Sequence, residues 1–294
     1  YRDFKIKNSL KDFLNNIVNT LGLLTFSTKK RRTRTWPRAG IGRQSGLKIQ
    51  WDLFPWRFES ARGYQLLKFI NFFIMNKYIV TTTINKPTKA LKIFSKLKDW
   101  KLIVVLDKKS PKFNLKNSIV LDVNEQEKIS KKLSNLIGWN CIQRRNFGLI
   151  KAKQLDADII ATIDDDNIPY KNWGQNINFV RKKIKVTKYK TNNYFDPLFV
   201  TNYKNLWHRG FPIQLLNKRK IVSKQNYFGN FDIKADFWNG DPDIDAICRM
   251  EHLPECKFNN SYFPFTSNKI SPFNSQNTFL SSKVLKDYFL FPWV

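Results

Sequence analysis

Four short apolar runs constrain this chain more than anything else in it. Tyr78-Ile-Val-Thr-Thr-Thr-Ile84, Lys101-Leu-Ile-Val-Val-Leu106, Ser118-Ile-Val-Leu121 and Asp158-Ile-Ile-Ala-Thr-Ile163 are rich in β-branched residues and flanked by turn formers, so each reads as a buried strand. The segments between them carry apolar residues at helical spacing. Ala90, Phe94 and Leu97 share a face after the helix-starting Asn85 and Pro87, and Ile129, Leu133, Leu136 and Ile137 form an inward face in the next segment. A third helix beginning near Asn140 shows Ile142, Leu149, Ala152 and Leu155. Strand–helix alternation with short connections predicts an α/β fold, with a mostly parallel sheet and helices on both faces. The first strand–helix turn, Thr83-Ile-Asn-Lys-Pro-Thr88, has no Gly-x-Gly, which excludes a dinucleotide-binding Rossmann unit. After residue 170 the pattern loosens into short aromatic, Asn- and Pro-rich pieces, predicting an irregular, loop-rich second half.

The fourth run ends in Asp164, Asp165 and Asp166, followed by the turn signal Asn167-Ile-Pro169. Three adjacent like charges repel unless something positive sits before them. At the C-terminal lip of a strand, where α/β sheets bind ligands, Asp164 and Asp166 point to one side and Asp165 to the other. That arrangement suits a hard divalent cation held by Asp164 and Asp166, with phosphate oxygens completing its shell. A solvated acidic turn is the plainer alternative. One helix earlier, Arg144 and Arg145 can reach a diphosphate as planar forks, and Gly148 allows close packing of that helix. A second acidic cluster, Asp241, Asp243 and Asp245, lies in Gly240-Asp-Pro-Asp-Ile-Asp-Ala246. It reads either as catalytic carboxylates or as an Asp-Pro turn leading into a helix N-cap.

Charge and composition bound the partners. Lys and Arg number 52 against 23 Asp and Glu, a net charge of +29 that favours polyanions or phosphorylated substrates. The abundance of Lys, Asn, Ile, Phe and Tyr together also fits an AT-rich coding sequence, which would make much of that charge solvated surface. Residues 1–76 stand apart as a basic, aromatic extension with 15 Lys/Arg and 4 Asp/Glu, an amphipathic opening, a basic run at 29–34 and aromatics at 51–58. Such a segment offers peripheral membrane contact or is a solvated loop; no specific nucleic-acid partner is expected. Three irregularly spaced cysteines and two histidines exclude a zinc framework and make a histidine-centred triad a poor fit. They favour a reducing compartment, hence the cytoplasm, peripherally membrane-associated at most; an N-terminal anchor on a longer chain would instead suit the Golgi. A chain opening on Tyr1 and stopping at Val294 in an apolar run reads as a piece of a longer protein, truncated at its C-terminus.

The run Arg144-Arg-Asn-Phe-Gly-Leu-Ile-Lys-Ala-Lys-Gln-Leu-Asp-Ala-Asp-Ile-Ile-Ala-Thr-Ile-Asp-Asp-Asp-Asn167 looks like the nucleotide-sugar region of GT-A glycosyltransferases. More narrowly, the chain resembles the STELLO-type (DUF288) glycosyltransferases. Tyr78–Asn85, Lys96–Val105, Leu206-Trp-His-Arg-Gly-Phe-Pro212, Trp238–Ala246 and Pro272-Phe-Asn-Ser-Gln-Asn-Thr278 are similar to that family in the same order. The similarity covers residues 77–294, read as one glycosyltransferase domain. This chain has His208 where relatives commonly have the first proline of Trp-Pro-Arg-Gly.

The resemblance implies a GT-A-like fold and a DXD-type motif at Asp164, Asp165 and Asp166 that holds Mn²⁺ or Mg²⁺ against a nucleotide-sugar diphosphate. It implies donor contacts at Thr83, Asp107, Arg144, Arg145, Asp164 and Asp165, and a phosphate or acceptor contact at Arg209. One of Asp241, Asp243 and Asp245 would be the base that takes the proton from a hydroxyl of a glycan or glycoconjugate acceptor, or would help hold the metal. A nucleotidyltransferase using the same carboxylates, and a non-catalytic RNA- or membrane-binding protein acting through residues 29–57, are the competing expectations.

Overall fold

The computed structural model describes residues 75–291 except 176 and 178. The amphipathic opening, the basic run and the aromatic cluster of residues 1–74 lie outside the described residues, so the expectations attached to them are not addressed by the fold. Strands β1 (Lys77–Thr83), β2 (Lys101–Leu106), β3 (Ser118–Leu121) and β4 (Ile159–Ile163) form where the apolar runs predict them. They alternate with helices α1 (Lys89–Phe94), α2 (Val123–Ile137) and α3 (Arg145–Gln154). β1 to β4 are parallel, in the order β3-β2-β1-β4. Two later strands, β7 (Ile233–Ala235) and β9 (Asn277–Ser281), extend the sheet beyond β4 in the order β4-β9-β7, both pairings antiparallel. The result is a mixed α/β fold with a mostly parallel central sheet, consistent with a GT-A-like architecture.

Side-chain alternation splits each strand between two cores. Ile79, Leu102, Val104, Ile159 and Ala161 pack against Ala90, Leu91 and Phe94 of α1 on one face. Val80, Ile103, Val105 and Ile160 pack against Ile137 of α2 and Phe147, Leu149 and Ala152 of α3 on the other. Gly148 is what lets α3 lie so close: a Cβ there would stand 2.4 Å from Val80 Cγ1 and 3.0 Å from Val105 Cγ2. The N-cap side chains of Thr88 on α1 and Asp122 on α2 accept from Leu91 and Glu125 backbone N–H groups, which fixes where each helix begins.

Two helical positions depart from the periodicity. Leu136 is exposed rather than inward-facing. Non-helical backbone at Ser130 breaks α2 into two pieces and shifts the phase of everything after it. Ile142 is also exposed, because α3 is preceded by a separate 3₁₀ turn, Ile142–Arg144, whose tighter winding takes it off the helical face. The second half is loop-rich in its connections but holds more sheet than its sequence suggests. Besides β7 and β9, it contains β5 (Ile184–Thr191), β6 (Ile221–Gly229) and β8 (Phe265–Ser267) in a second sheet ordered β6-β5-β8, and a short helix α4 (Ala246–His252). β6 is exposed along most of its length, so it carries no apolar alternation to read. Among the described residues, no helix is long and apolar enough to cross a membrane.

Candidate active site

The C-terminal ends of β1, β2 and β4 bring Thr83, Asp107 and the three aspartates to one edge of the sheet. With the segment from Asn140 to Arg145 they line a cleft of about 290 Å³. The aspartates divide their tasks there. Asp165 turns toward β1, where the Thr83 hydroxyl donates to its Oδ2 at 2.5 Å and the Asn85 amide does so at 3.3 Å. The Thr88 hydroxyl donates to the Asp165 backbone carbonyl. Asp164 pairs through Oδ1 with Arg145 Nη2 at 2.6 Å. Asp166 is exposed and has no hydrogen-bond or ion-pair partner among the described residues.

The two arginines, adjacent in sequence, have different surroundings. Arg145 is buried, and besides Asp164 it donates to the backbone carbonyl and hydroxyl of Ser275 at 2.9 and 3.3 Å. It therefore couples the acidic lip to the Pro272–Thr278 stretch, where Asn274 Oδ1 accepts the N–H groups of Gln276 and Asn277. Arg144 is equally buried but points into the α2 interface. Its Nε donates to Gln126 Oε1 at 2.8 Å, and its Nη1 to Ser134 Oγ at 3.1 Å and the Gly138 carbonyl at 3.2 Å. The guanidinium lies 3.6 Å from the Trp139 ring centroid. Burial pushes the Arg144 pKa down, opposed by the charge of Asp107. Its Nε and Nη1 donors are spent inside the fold, and Nη2 has no partner among the described residues.

Asp107 is a brace for the opposite wall. Its carboxylate accepts the Lys108 N–H at 2.6 Å and the Asn140 N–H at 2.7 Å. Its own N–H donates to Ser110 Oγ, which donates in turn to the Thr83 carbonyl.

The second acidic cluster separates in the same way. Asp245 is the N-cap of α4, accepting the Ile247 N–H at 2.9 Å, so its carboxylate is committed to the helix. Asp241 is exposed and pairs with Arg249. Asp243 is buried and pairs with the half-exposed Arg209 guanidinium, while the Arg209 N–H donates to the Asp243 carbonyl at 3.1 Å. Burial raises the Asp243 carboxyl above the usual carboxylate range, with the Arg209 guanidinium opposing.

Some structural partners gave no sequence signal. Asp196, fully buried, pairs with Arg219 at 2.9 Å and accepts the His208 N–H at 3.3 Å, anchoring the loop that carries Arg209. Burial raises its carboxyl pKa, with Arg219 opposing. Gln126 and Ser275, which hold the two arginines, carry no chemistry visible from spacing. Ser275 lies in a stretch singled out by resemblance without a role attached to it.

Asp164 and Asp166 are the side chains that would hold a hard divalent cation at the lip. Asp166 offers a free carboxylate and Asp164 its second oxygen, Oδ2. Among the described residues no group of three His, Cys, Asp or Glu side chains is placed to hold a metal. Two carboxylates fit such an ion when phosphate and water supply the rest of its shell.

Two curated Arabidopsis thaliana proteins are similar to this chain. "Probable glycosyltransferase STELLO1" is 22% identical over 251 residues, covering 80% of this chain and 30% of that protein. "Probable glycosyltransferase STELLO2" is 22% identical over 254 residues, covering 80% and 31%. The similarity is distant. It spans less than a third of the length of the curated relatives it matches. No protein-family model matches it.

Proposed function

We propose that this protein is a metal-dependent glycosyltransferase that moves a sugar from a nucleotide-sugar donor to a hydroxyl acceptor on a glycan or glycoconjugate. The observation that carries the reading is the cleft at the C-terminal ends of β1, β2 and β4, where Asp166, unpaired among the described residues, stands beside an arginine-braced Asp164. The names of the STELLO relatives point the same way. Asp166 and the free oxygen of Asp164 would hold Mn²⁺ or Mg²⁺, which when bound offsets negative charge on the leaving diphosphate.

The chain's own residues do the rest. Arg145 fixes Asp164 and cancels part of the repulsion within the triplet. Thr83 and Asn85 fix Asp165 on the wall where the nucleoside would lie. Asp243 is the base: the acceptor oxygen bonds to the anomeric carbon, the carbon–phosphate oxygen bond breaks with its electron pair leaving on the diphosphate, and the hydroxyl proton passes to Asp243. Arg209, holding Asp243 on one side and open to solvent on the other, orients that carboxylate. Arg144 serves the site indirectly, by holding the start of α3. Asp245 and Asp241 are left with structural roles.

Product analysis tests the reading. Incubation with UDP- or GDP-sugars and an alcohol acceptor should release the nucleoside diphosphate. Release of pyrophosphate from a nucleoside triphosphate, with nucleotide-sugars untouched, would establish a nucleotidyltransferase instead.

A further inference from the structure

A second cavity, of about 510 Å³, is walled by β5 and β8 on one side and β7 on the other. Its size lies in the range of small-molecule sites, about 300–1,000 Å³. Phe195, Phe231, Phe237, Phe263, Phe265 and Phe273 give it an aromatic lining. Its charges are few and largely self-neutralised: Lys234 pairs with Asp236 at 3.0 Å, and Lys269 is exposed. Nothing in that lining calls for a charged ligand, and unpaired charge in such surroundings would be costly to bury.

Of the polar groups in the wall, which include Asn260, Thr266, Ser267, Ser271 and Asn274, His208 is the most deeply buried. His208, 2% exposed, sits 2.7 Å through Nδ1 from the Arg209 carbonyl. A carbonyl only accepts, so Nδ1 carries a proton, and the tautomer this selects for an uncharged imidazole has its lone pair at Nε2. Nε2 has no partner among the described residues. A lone pair held this way in an apolar cavity calls for a hydrogen-bond donor from outside. The position is also next to the proposed base, because Arg209, the following residue, grips Asp243 by both backbone and side chain.

We infer that this cavity is the acceptor subsite and takes a neutral amphiphilic alcohol, its aryl or alkyl body against the phenylalanines and a hydroxyl donated to His208 Nε2. The assignment rests on the transferase reading for the word acceptor, and on the cavity alone for the alcohol.

Ligand-observed NMR titration with 4-propylphenol and its methyl ether, 4-propylanisole, tests it. The phenol should bind about three- to tenfold more tightly than the ether, the span expected of one net hydrogen bond. His208→Phe should abolish that preference, and His208→Gln, which keeps an acceptor, should retain part of it. Ala235→Trp, at an exposed lining position, should weaken both ligands. Melting curves establish that the variants fold. Equal affinity for phenol and ether, a preference that survives His208→Phe, or no binding of either ligand overturns the assignment. Titration of a UDP-sugar with Mn²⁺ on the same variants separates the two readings. Donor binding without a phenol preference refutes the cavity assignment alone. A phenol preference with no donor binding refutes the transferase reading and, with it, the acceptor role.

Discussion

Helix α3 packs closely against β1 and β2 behind the acidic lip, and a single methyl group probes that packing. In Gly148→Ala the added Cβ would meet Val80 Cγ1 at 2.4 Å and Val105 Cγ2 at 3.0 Å. Carbon atoms prefer about 3.5–4.0 Å, so the first contact is over an ångström too close. Both valines are fully buried, and β-branched side chains cannot rotate cheaply away. Overpacking of this kind costs about 1–3 kcal/mol, of which the better helix propensity of alanine returns about 1. The expected net loss is about 1 kcal/mol, measured by urea denaturation. Val80→Ala alone removes two methyl-sized groups and should cost about 2 kcal/mol. Combined, the two substitutions should relieve each other, leaving the double variant more stable than the sum of the singles by at least about 1 kcal/mol. Additivity within about 0.5 kcal/mol, the behaviour of independent sites, would refute the close approach of α3 to β1. Since α3 begins at Arg145, Gly148→Ala should also displace the guanidinium from Asp164 and weaken donor binding.

Asp243→Asn should lower turnover by about a hundredfold or more, the usual contribution of a general base, while leaving donor affinity within about twofold by calorimetry. Because burial holds the Asp243 carboxyl above the ordinary range and the base must be ionised, kcat/KM should rise with pH through that raised value and then level off. Asp245→Ala should cost about 1 kcal/mol of stability through loss of the α4 cap and leave turnover per folded molecule unchanged, so a hundredfold fall in turnover would return Asp245 to the catalytic set. Arg219→Met strands the buried Asp196 carboxylate and should destabilise the fold by about 3–5 kcal/mol in denaturant titrations at neutral pH. Since burial already raises the Asp196 pKa above its unfolded value, this group's contribution to stability falls as pH rises through the folded value, and the variant should regain stability on acidification.

The parallel strands were legible because burial on both faces makes each a continuous apolar run, as in Leu102 to Leu106. β6, exposed along most of its length, and β9, five residues paired antiparallel between β4 and β7, leave no comparable trace. Leu136 went astray because periodicity assumes an unbroken helix and Ser130 interrupts it. At the lip, the position of the aspartates followed from strand geometry, but their division of labour did not. Arg144 and Arg145 are indistinguishable as sequence, yet one lies in a 3₁₀ turn facing Gln126 and Trp139 while the other opens α3 facing Asp164. The same limit applies to Asp243 and Asp245, two residues apart. Which one caps a helix and which one meets Arg209 depends on where α4 begins.

The central claim is that Asp164 and Asp166 hold a cation that binds a nucleotide-sugar, and a thermal-shift screen tests it directly. At least one UDP- or GDP-sugar should raise the melting temperature only when Mn²⁺ or Mg²⁺ is present, with the effect lost in EDTA and in Asp166→Ala. Stabilisation that survives both EDTA and Asp166→Ala, or no stabilisation by any nucleotide-sugar with either metal, would contradict it.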